Sequence, residues 1–398
     1  MKILILSTKM PWPARDGGAI ATLNMALGFA GKNCQVTLLT MNTGKHYFPE
    51  TEIPANIRDL ISIRSVDVDT KIRPVRLLMN FLFSRYPYNA LRFVSKPFKA
   101  ELKKCLAEHD FDIIQLEGPY LKYYISCIKG KAKIAMRGHN LEHRIWRLMA
   151  QQEKNPLKRF YLTSLAGRIL NLEKKELSEI DLLVPISEAD RQGFDQIGHH
   201  LPAQVIPTGI NISNYPLNDR GDSIRLFFIG ALDWGPNQEG LDWFFKEVWP
   251  VLRLKWPGHI LHIAGRNSSF YFNGRSLPDN VILEGEVEDA IEFINNHTVM
   301  IVPLLTGSGI RIKILEAMAM GKTVISSTIG AAGLEARNGE HLFLADTPDE
   351  YISVLEKLSD QDGLLQRTGM KARQFVTENF DNLVLSEKLI SFYKEQLK

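Results

Sequence analysis

The sequence predicts an α/β protein made of two doubly wound parallel-sheet domains. Short, β-branched apolar runs alternate with helical stretches from residue 2 onward, the rhythm of a parallel sheet covered by helices. After a polar, turn-rich segment at residues 213–223 the same alternation restarts at Arg225. A length of 398 residues with 45% hydrophobic and 23% charged side chains suffices for two cores. The expected domains are residues 1–212 and 223–379.

Taken in order, Lys2–Ser7 reads as a buried strand, Pro11, Pro13, Gly17 and Gly18 as a loop, residues 19–31 as a helix and Gln35–Thr40 as a second strand. The first turn has no G-x-G-x-x-G, which argues against a dinucleotide site. Gly17 and Gly18 instead offer bare backbone to a ligand, or serve turn geometry alone. Residues 71–104 carry nine Lys and Arg against Glu101, interleaved with six Phe and Tyr. That composition suits a helix lying on an anionic membrane, and equally a solvated, partly buried helical hairpin. Lys and Arg interleaved with aromatics would also suit single-stranded nucleic acid, but nothing else in the sequence supports it. FDIIQL (Phe111–Leu116) and KIAM (Lys133–Met136) are further strands, the second running into Arg137-Gly138-His139-Asn140. His139 therefore sits at the carboxyl end of a strand, where open α/β sheets bind ligands. His139 and His143, four apart, lack a third metal ligand at matching spacing, and Asp67-Val68-Asp69 reads as a loop or strand edge. Residues 181–186 are a strand followed by Ser187 as a helix cap, and Gln204–Asn211 reads as a last strand of the first domain. RLFFIGALDW, HILHIAG, NVILEG and TVMIVPL supply four strands to the second domain, and a helix over residues 382–397 follows.

The richest stretch is Ile301–Lys322, IVPLLTGSGIRIKILEAMAMGK: a strand, a break at Gly307-Ser308-Gly309, and a helix stopped by Gly321. Arg311 and Lys313 put two cations on the helix end that the backbone dipole already makes positive. An anion over the turn, held by backbone N–H groups and both side chains, would resolve that repulsion. Glu316, three residues beyond Lys313, shares its face and suits the diol of a ribose. The plainer reading is a βα unit with glycines for packing and a solvated Glu316.

Charge is asymmetric: residues 1–200 hold 30 Lys and Arg against 20 Asp and Glu, residues 201–398 hold 18 against 25. The basic half is expected to face something acidic. Three unpaired-looking cysteines, Cys34, Cys105 and Cys127, suit a reducing compartment better than a disulfide framework. The opening MKILILSTKMPW is too short in apolar residues for a signal peptide, and no run spans a bilayer, so a cytoplasmic protein is expected.

The Gly17-Gly18 loop, RGHN, PISEADRQGF, VIPTGIN, FIGALDWGPNQEGLDWF, HIAGRN, LEGEVED and above all VPLLTGSGIRIKILEAMAMGK resemble the GT-B glycosyltransferases, and among them the retaining glycosyltransferase family 4. The resemblance covers nearly the whole chain. It implies two Rossmann-like domains facing a cleft, with residues 380–398 packing back on the first. It also implies a nucleoside diphosphate sugar held by the second domain without a metal, and a lipid-linked or glycan acceptor held by the first. By the same resemblance Glu316 binds the ribose, Val287 lies where backbone meets the nucleobase, and His139 stands near the reacting anomeric carbon. Ser308 replaces the motif's first Glu, and Gly230–Asn237 lacks the usual Arg and Lys, which leaves the diphosphate to Arg311, Lys313 and the Gly309 turn. A sugar-nucleotide epimerase or an inactive nucleotide-sugar-binding subunit are the alternatives.

Overall fold

The computed structural model describes residues 1–398 except 15, 199, 218–220, 222 and 308. The chain divides into two compact units, Met1–Gly209 with Asn382–Lys398, and Ile210–Asp381.

The sheet of the first unit contains β1 (Lys2–Ser7), β2 (Gln35–Thr43), β3 (Ser62–Val68), β4 (Ile113–Glu117), β5 (Lys133–Gly138) and β6 (Leu182–Pro185). The order is β3-β2-β1-β4-β5-β6 and the paired strands run parallel. A parallel sheet is covered on both faces, so its central strands are apolar without alternation: Ile3, Leu4, Ile5 and Leu6 are all fully buried. The second sheet contains β7 (Leu226–Ile229), β8 (Leu261–Ala264), β9 (Val281–Gly285), β10 (Val299–Val302), β11 (Thr323–Ser326) and β12 (Phe343–Leu344), in the order β12-β11-β10-β7-β8-β9. The sense in which successive strands are added to the sheet reverses between β1 and β4 in one sheet and between β7 and β10 in the other. Open sheets of this kind bind ligands at the carboxyl ends of the strands that flank such a reversal.

Helix α1 is Gly17–Gly31, two residues longer at its start than the sequence suggested. Asp16 caps it by accepting from the Ala19 N–H at 3.0 Å, which draws both glycines out of the loop and into the first turn. The segment from Gln204 is not a strand. Its backbone meets β6 through Gln204 N–H to Leu183 O and Ile206 N–H to Pro185 O, but Pro202 and Pro207 deny it a continuous ladder. The basic stretch forms α2 (Pro74–Phe83) and α3 (Lys96–Glu108). Two further helices, α4 (Glu142–Gln152) and α5 (Pro156–Leu177), are tied together by His143 Nδ1 at 2.6 Å from Glu173 Oε2.

In the second unit, α6 (Ile312–Ala319) follows β10 and α7 (Leu364–Phe380) packs near it. The final helix, α8 (Asn382–Gln396), belongs to the first unit. Its Leu385, Leu389, Ile390 and Tyr393 join Leu23, Met25 and Phe29 of α1 in one core. The two helices approach at Gly28, where a Cβ would lie 2.1 Å from Ser386 Oγ and 3.0 Å from the Asn382 carbonyl.

Candidate active site

In the first unit the polar centre lies at the β1/β4 reversal and is organised by a residue the sequence did not single out. Glu117, the last residue of β4, is 6% exposed. It accepts from Thr22 Oγ1 of α1 at 3.0 Å and from Gln115 Nε2 at 2.5 Å, and lies 2.7 Å from His139 Nε2. Arg137 Nη1 stands 3.7 Å away, itself 1% exposed and donating to the Ala21 carbonyl at 2.8 Å. Burial alone would raise the Glu117 pKa; the Arg137 charge, the bond and charge of His139 and the Gln115 amide outweigh it and hold it at about 2. An ionised carboxylate only accepts, so His139 Nε2 carries the proton and the ring is fixed with Nδ1 turned away from Glu117. Behind Gln115, Tyr393 of α8 donates its hydroxyl to Oε1 at 2.8 Å, so the last helix braces the network.

His139 is thus at a strand end as expected, immediately after β5. His143 points instead to Glu173, and among the described residues no group of three His, Cys, Asp or Glu is placed to hold a metal ion. Asp69 accepts from the Lys71 N–H and from Arg73, each at 2.9 Å, and so shapes the turn after β3. Gly17 has open space where a Cβ would stand, whereas a Cβ on Gly18 would come 2.8 Å from Lys9 Nζ.

In the second unit, the turn between β10 and α6 needs glycine: φ is +119° at Gly307 and +82° at Gly309. Ser308 lies outside the described residues. Arg311 is the cap residue of α6 and folds back over its own turn, donating from Nη1 to the Gly309 carbonyl at 2.8 Å. Its guanidinium lies 5.2 Å from the centre of the Trp234 ring, a cation–π contact that joins this turn to the loop after β7. Burial lowers the Arg311 pKa without discharging a guanidinium. Lys313 Nζ is 3.0 Å from Glu316 Oε2. The two cations therefore have internal company, so their repulsion at the helix end is not by itself proof of an external anion. Glu316 Oε1 accepts from the Tyr215 hydroxyl at 2.9 Å. Burial and then the Glu316 charge push the Tyr215 pKa up, keeping it a neutral donor. Val287 follows β9 with its side chain half-buried against the core.

One cation escaped the sequence reading. Arg266, in HIAGRN, bonds Asp233 of the loop after β7 at 3.1 Å and so brings to that loop the positive charge its own sequence lacks. The signal was the approach that Gly265 permits, where a Cβ would lie 1.8 Å from the Gly230 carbonyl oxygen.

A family model described as glycosyl transferases group 1 matches residues 223–361. The match lies within the second unit, Ile210–Asp381. A Klebsiella pneumoniae protein described as an uncharacterized 44.6 kDa protein in the cps region is 24% identical over 395 residues, covering 96% of this chain and 97% of its own. The phosphatidyl-myo-inositol mannosyltransferase of Mycobacterium tuberculosis is 25% identical over 295 residues, 70% of this chain and 71% of that one. The structure of Anabaena HepE in complex with UDP superposes with a TM-score of 0.67 at 13% identity, over 99% of this chain and 100% of that one. The architecture is the GT-B fold, and the group 1 match supports a glycosyltransferase.

Proposed function

We propose that the protein is a retaining glycosyltransferase that moves a hexose-type sugar from a nucleoside diphosphate donor to a lipid-linked or glycan acceptor in cell-surface polysaccharide synthesis. The observation that carries the reading is Glu316, a carboxylate 15% exposed, presented by α6 beside the Gly307–Gly309 turn and oriented by Tyr215 and Lys313. In that setting the carboxylate accepts from the two ribose hydroxyls of the donor. The Gly309 turn, Arg311, Lys313 and Arg266 meet the diphosphate, so that the charge developing on the leaving group is stabilised by fixed cations and N–H groups and no metal is required. The UDP held by HepE and the mannosyl transfer named for the mycobacterial relative are consistent with a sugar nucleotide.

The first unit takes the acceptor, with Gly17 and Gly18 at the head of α1 and His139 at the reacting end of the sugar. The enzyme works at the inner face of a membrane, with the basic segment 71–104 in peripheral contact with anionic lipid. Among the described residues no helix is long and apolar enough to cross a membrane. Incubation with a panel of nucleotide sugars tests the reading: one of them is hydrolysed slowly and raises the melting temperature, by about 2.7 kcal/mol of stability at 100 times its Kd. A chain that binds a donor and never cleaves it is an inactive subunit, and one that isomerises it without acceptor is an epimerase.

One observation favours a second stereochemical course. A histidine oriented by a buried carboxylate, as His139 is by Glu117 at 2.7 Å, also suits a general base. NMR of the first product decides: a retained anomeric configuration supports the proposal, and inversion assigns His139 as the base.

A further inference from the structure

At the carboxyl ends of β1, β2 and β3 the first unit has an open cavity of about 890 Å³. Lys9, Lys45, Lys71, Arg92 and His46 line it, against Asp67 and Asp69. Asp69 is already taken up by the Lys71 N–H and Arg73, and Lys9 by Asp16 at 2.5 Å. Lys45 and Lys71 are exposed and belong to no ion pair among the described residues. Arg92 donates from Nη1 to the Thr70 carbonyl at 2.8 Å, which fixes the segment leading out of β3.

That segment runs directly from the cavity wall at Lys71 and Ile72 into α2. Helix α2 buries none of its residues. Phe81 packs edge-on against Phe160 and Tyr161 of α5, and Arg168 donates to the Asn80 and Phe81 carbonyls at 3.2 and 2.7 Å, so the helix is clamped by one side. The other side carries Val75, Leu78, Met79 and Leu82 at helical spacing, between 53% and 75% exposed. An apolar face this open, flanked by Lys71, Arg73, Arg76 and Arg85, is matched by a hydrocarbon chain next to negative charge.

We propose that the cavity holds the phosphate or diphosphate head group of a long-chain lipid acceptor, and that its hydrocarbon chain lies along the open face of α2. This rests on the reading that the first unit binds a sugar acceptor. The sheet sets the scale: β1, at one wall of the cavity, is two strands from β5 and His139, or ~10 Å, roughly the span of one sugar and its phosphate. The cavity selects the anion, α2 selects the chain, and the sugar on the other side of the phosphate reaches His139.

Calorimetric titration of the full chain with dodecyl phosphate below its micellar concentration, dodecyl maltoside and inorganic pyrophosphate tests this. Dodecyl phosphate binds at least tenfold more tightly than the other two. Lys45→Glu with Lys71→Glu weakens dodecyl phosphate at least tenfold and leaves dodecyl maltoside unchanged. Leu78→Ser with Leu82→Ser weakens dodecyl phosphate to the same degree and leaves pyrophosphate unchanged. All four positions are exposed, so the variants fold, as an unchanged circular dichroism spectrum verifies. The proposal is overturned if the maltoside binds as well as the phosphate, which makes α2 a generic apolar surface. It is equally overturned if pyrophosphate alone matches the amphiphile, which makes the cavity a free-anion site, or if either pair of substitutions leaves dodecyl phosphate unaffected. No arm uses donor turnover, so this assignment and the transferase reading fail separately.

Discussion

Replacing Glu117 by Gln keeps the shape of the buried network and removes its charge. The carboxylate titrates at about 2 in the folded protein against 4.5 for an ordinary glutamate, a difference of about 2.5 units. At about 1.36 kcal/mol per unit, the ionised form adds about 3 kcal/mol to stability, in the range for breaking a buried ion pair. The sign follows from a depressed pKa: the contribution is fully present above 4.5 and is lost as pH falls toward 2. Urea unfolding of wild type and Glu117→Gln, followed by circular dichroism, should show a gap of about 3 kcal/mol at pH 7 and about half of it at pH 3. The variant also leaves Arg137 buried beside a neutral amide and His139 without a charged partner, so turnover falls together with stability. A gap that is absent at pH 7, or that does not narrow between pH 4.5 and 3, refutes the claim that Glu117 is an ionised anchor for His139.

Glu316→Ala should raise the donor KM at least tenfold, since each charge-assisted bond to a ribose hydroxyl contributes about 1.5 to 3 kcal/mol, and Tyr215→Phe should raise it severalfold; wild-type donor affinity in Glu316→Ala removes the ribose assignment. Activity should persist in EDTA, and restoration by Mg²⁺ or Mn²⁺ after a loss would contradict catalysis by Arg266, Arg311 and Lys313 alone. Gly28→Ala should lower the melting temperature through about 1 to 3 kcal/mol of overpacking against Ser386 and the Asn382 carbonyl, and an unchanged melting temperature would show that α1 and α8 part without cost. The wild type should float with anionic vesicles and not with neutral ones, losing this in high salt and when Arg73, Arg76 and Arg85 become Glu, because each engaged cation contributes about 1 kcal/mol; equal flotation of the two proteins denies the membrane contact.

Much of the fold could be read from the chain because parallel strands buried on both faces write themselves as uninterrupted apolar runs. ILIL in β1 and VMIV in β10 are such runs, and Gly321 marks a helix end as plainly. The strand β3, SIRSVDV, escaped because only Ile63 and Val68 are buried along it, so its polar positions imitate a loop. Two-residue β12 has no pattern to detect. His139 was legible as a polar residue following an apolar strand. Glu117 was not: one acidic residue at the end of FDIIQLEG looks like a solvated strand terminus, and only the strand order places it between Thr22, Arg137 and His139. Tyr215 and Tyr393 were invisible for the same reason, being 101 and 278 residues from their partners. Contacts made by topology leave no local trace. The paired cations at α6 show the opposite error, because a local argument for an external anion omitted Trp234 and Glu316 as internal partners.

The placement of α8 has a consequence for biosynthesis. The second unit is one continuous stretch, residues 210–381, and emerges from the ribosome with every contact of its own core available. The first unit begins earlier and is completed later, since Leu385, Leu389 and Tyr393 exist only after residue 381 has been made. Until then α1 exposes the apolar surface around Phe29, and Gln115 lacks the hydroxyl that steadies it beside Glu117. Nascent chains should therefore acquire a folded second unit while His139 of the first is still unbraced, and a chaperone that shields exposed apolar helices would find its target on α1 throughout that interval.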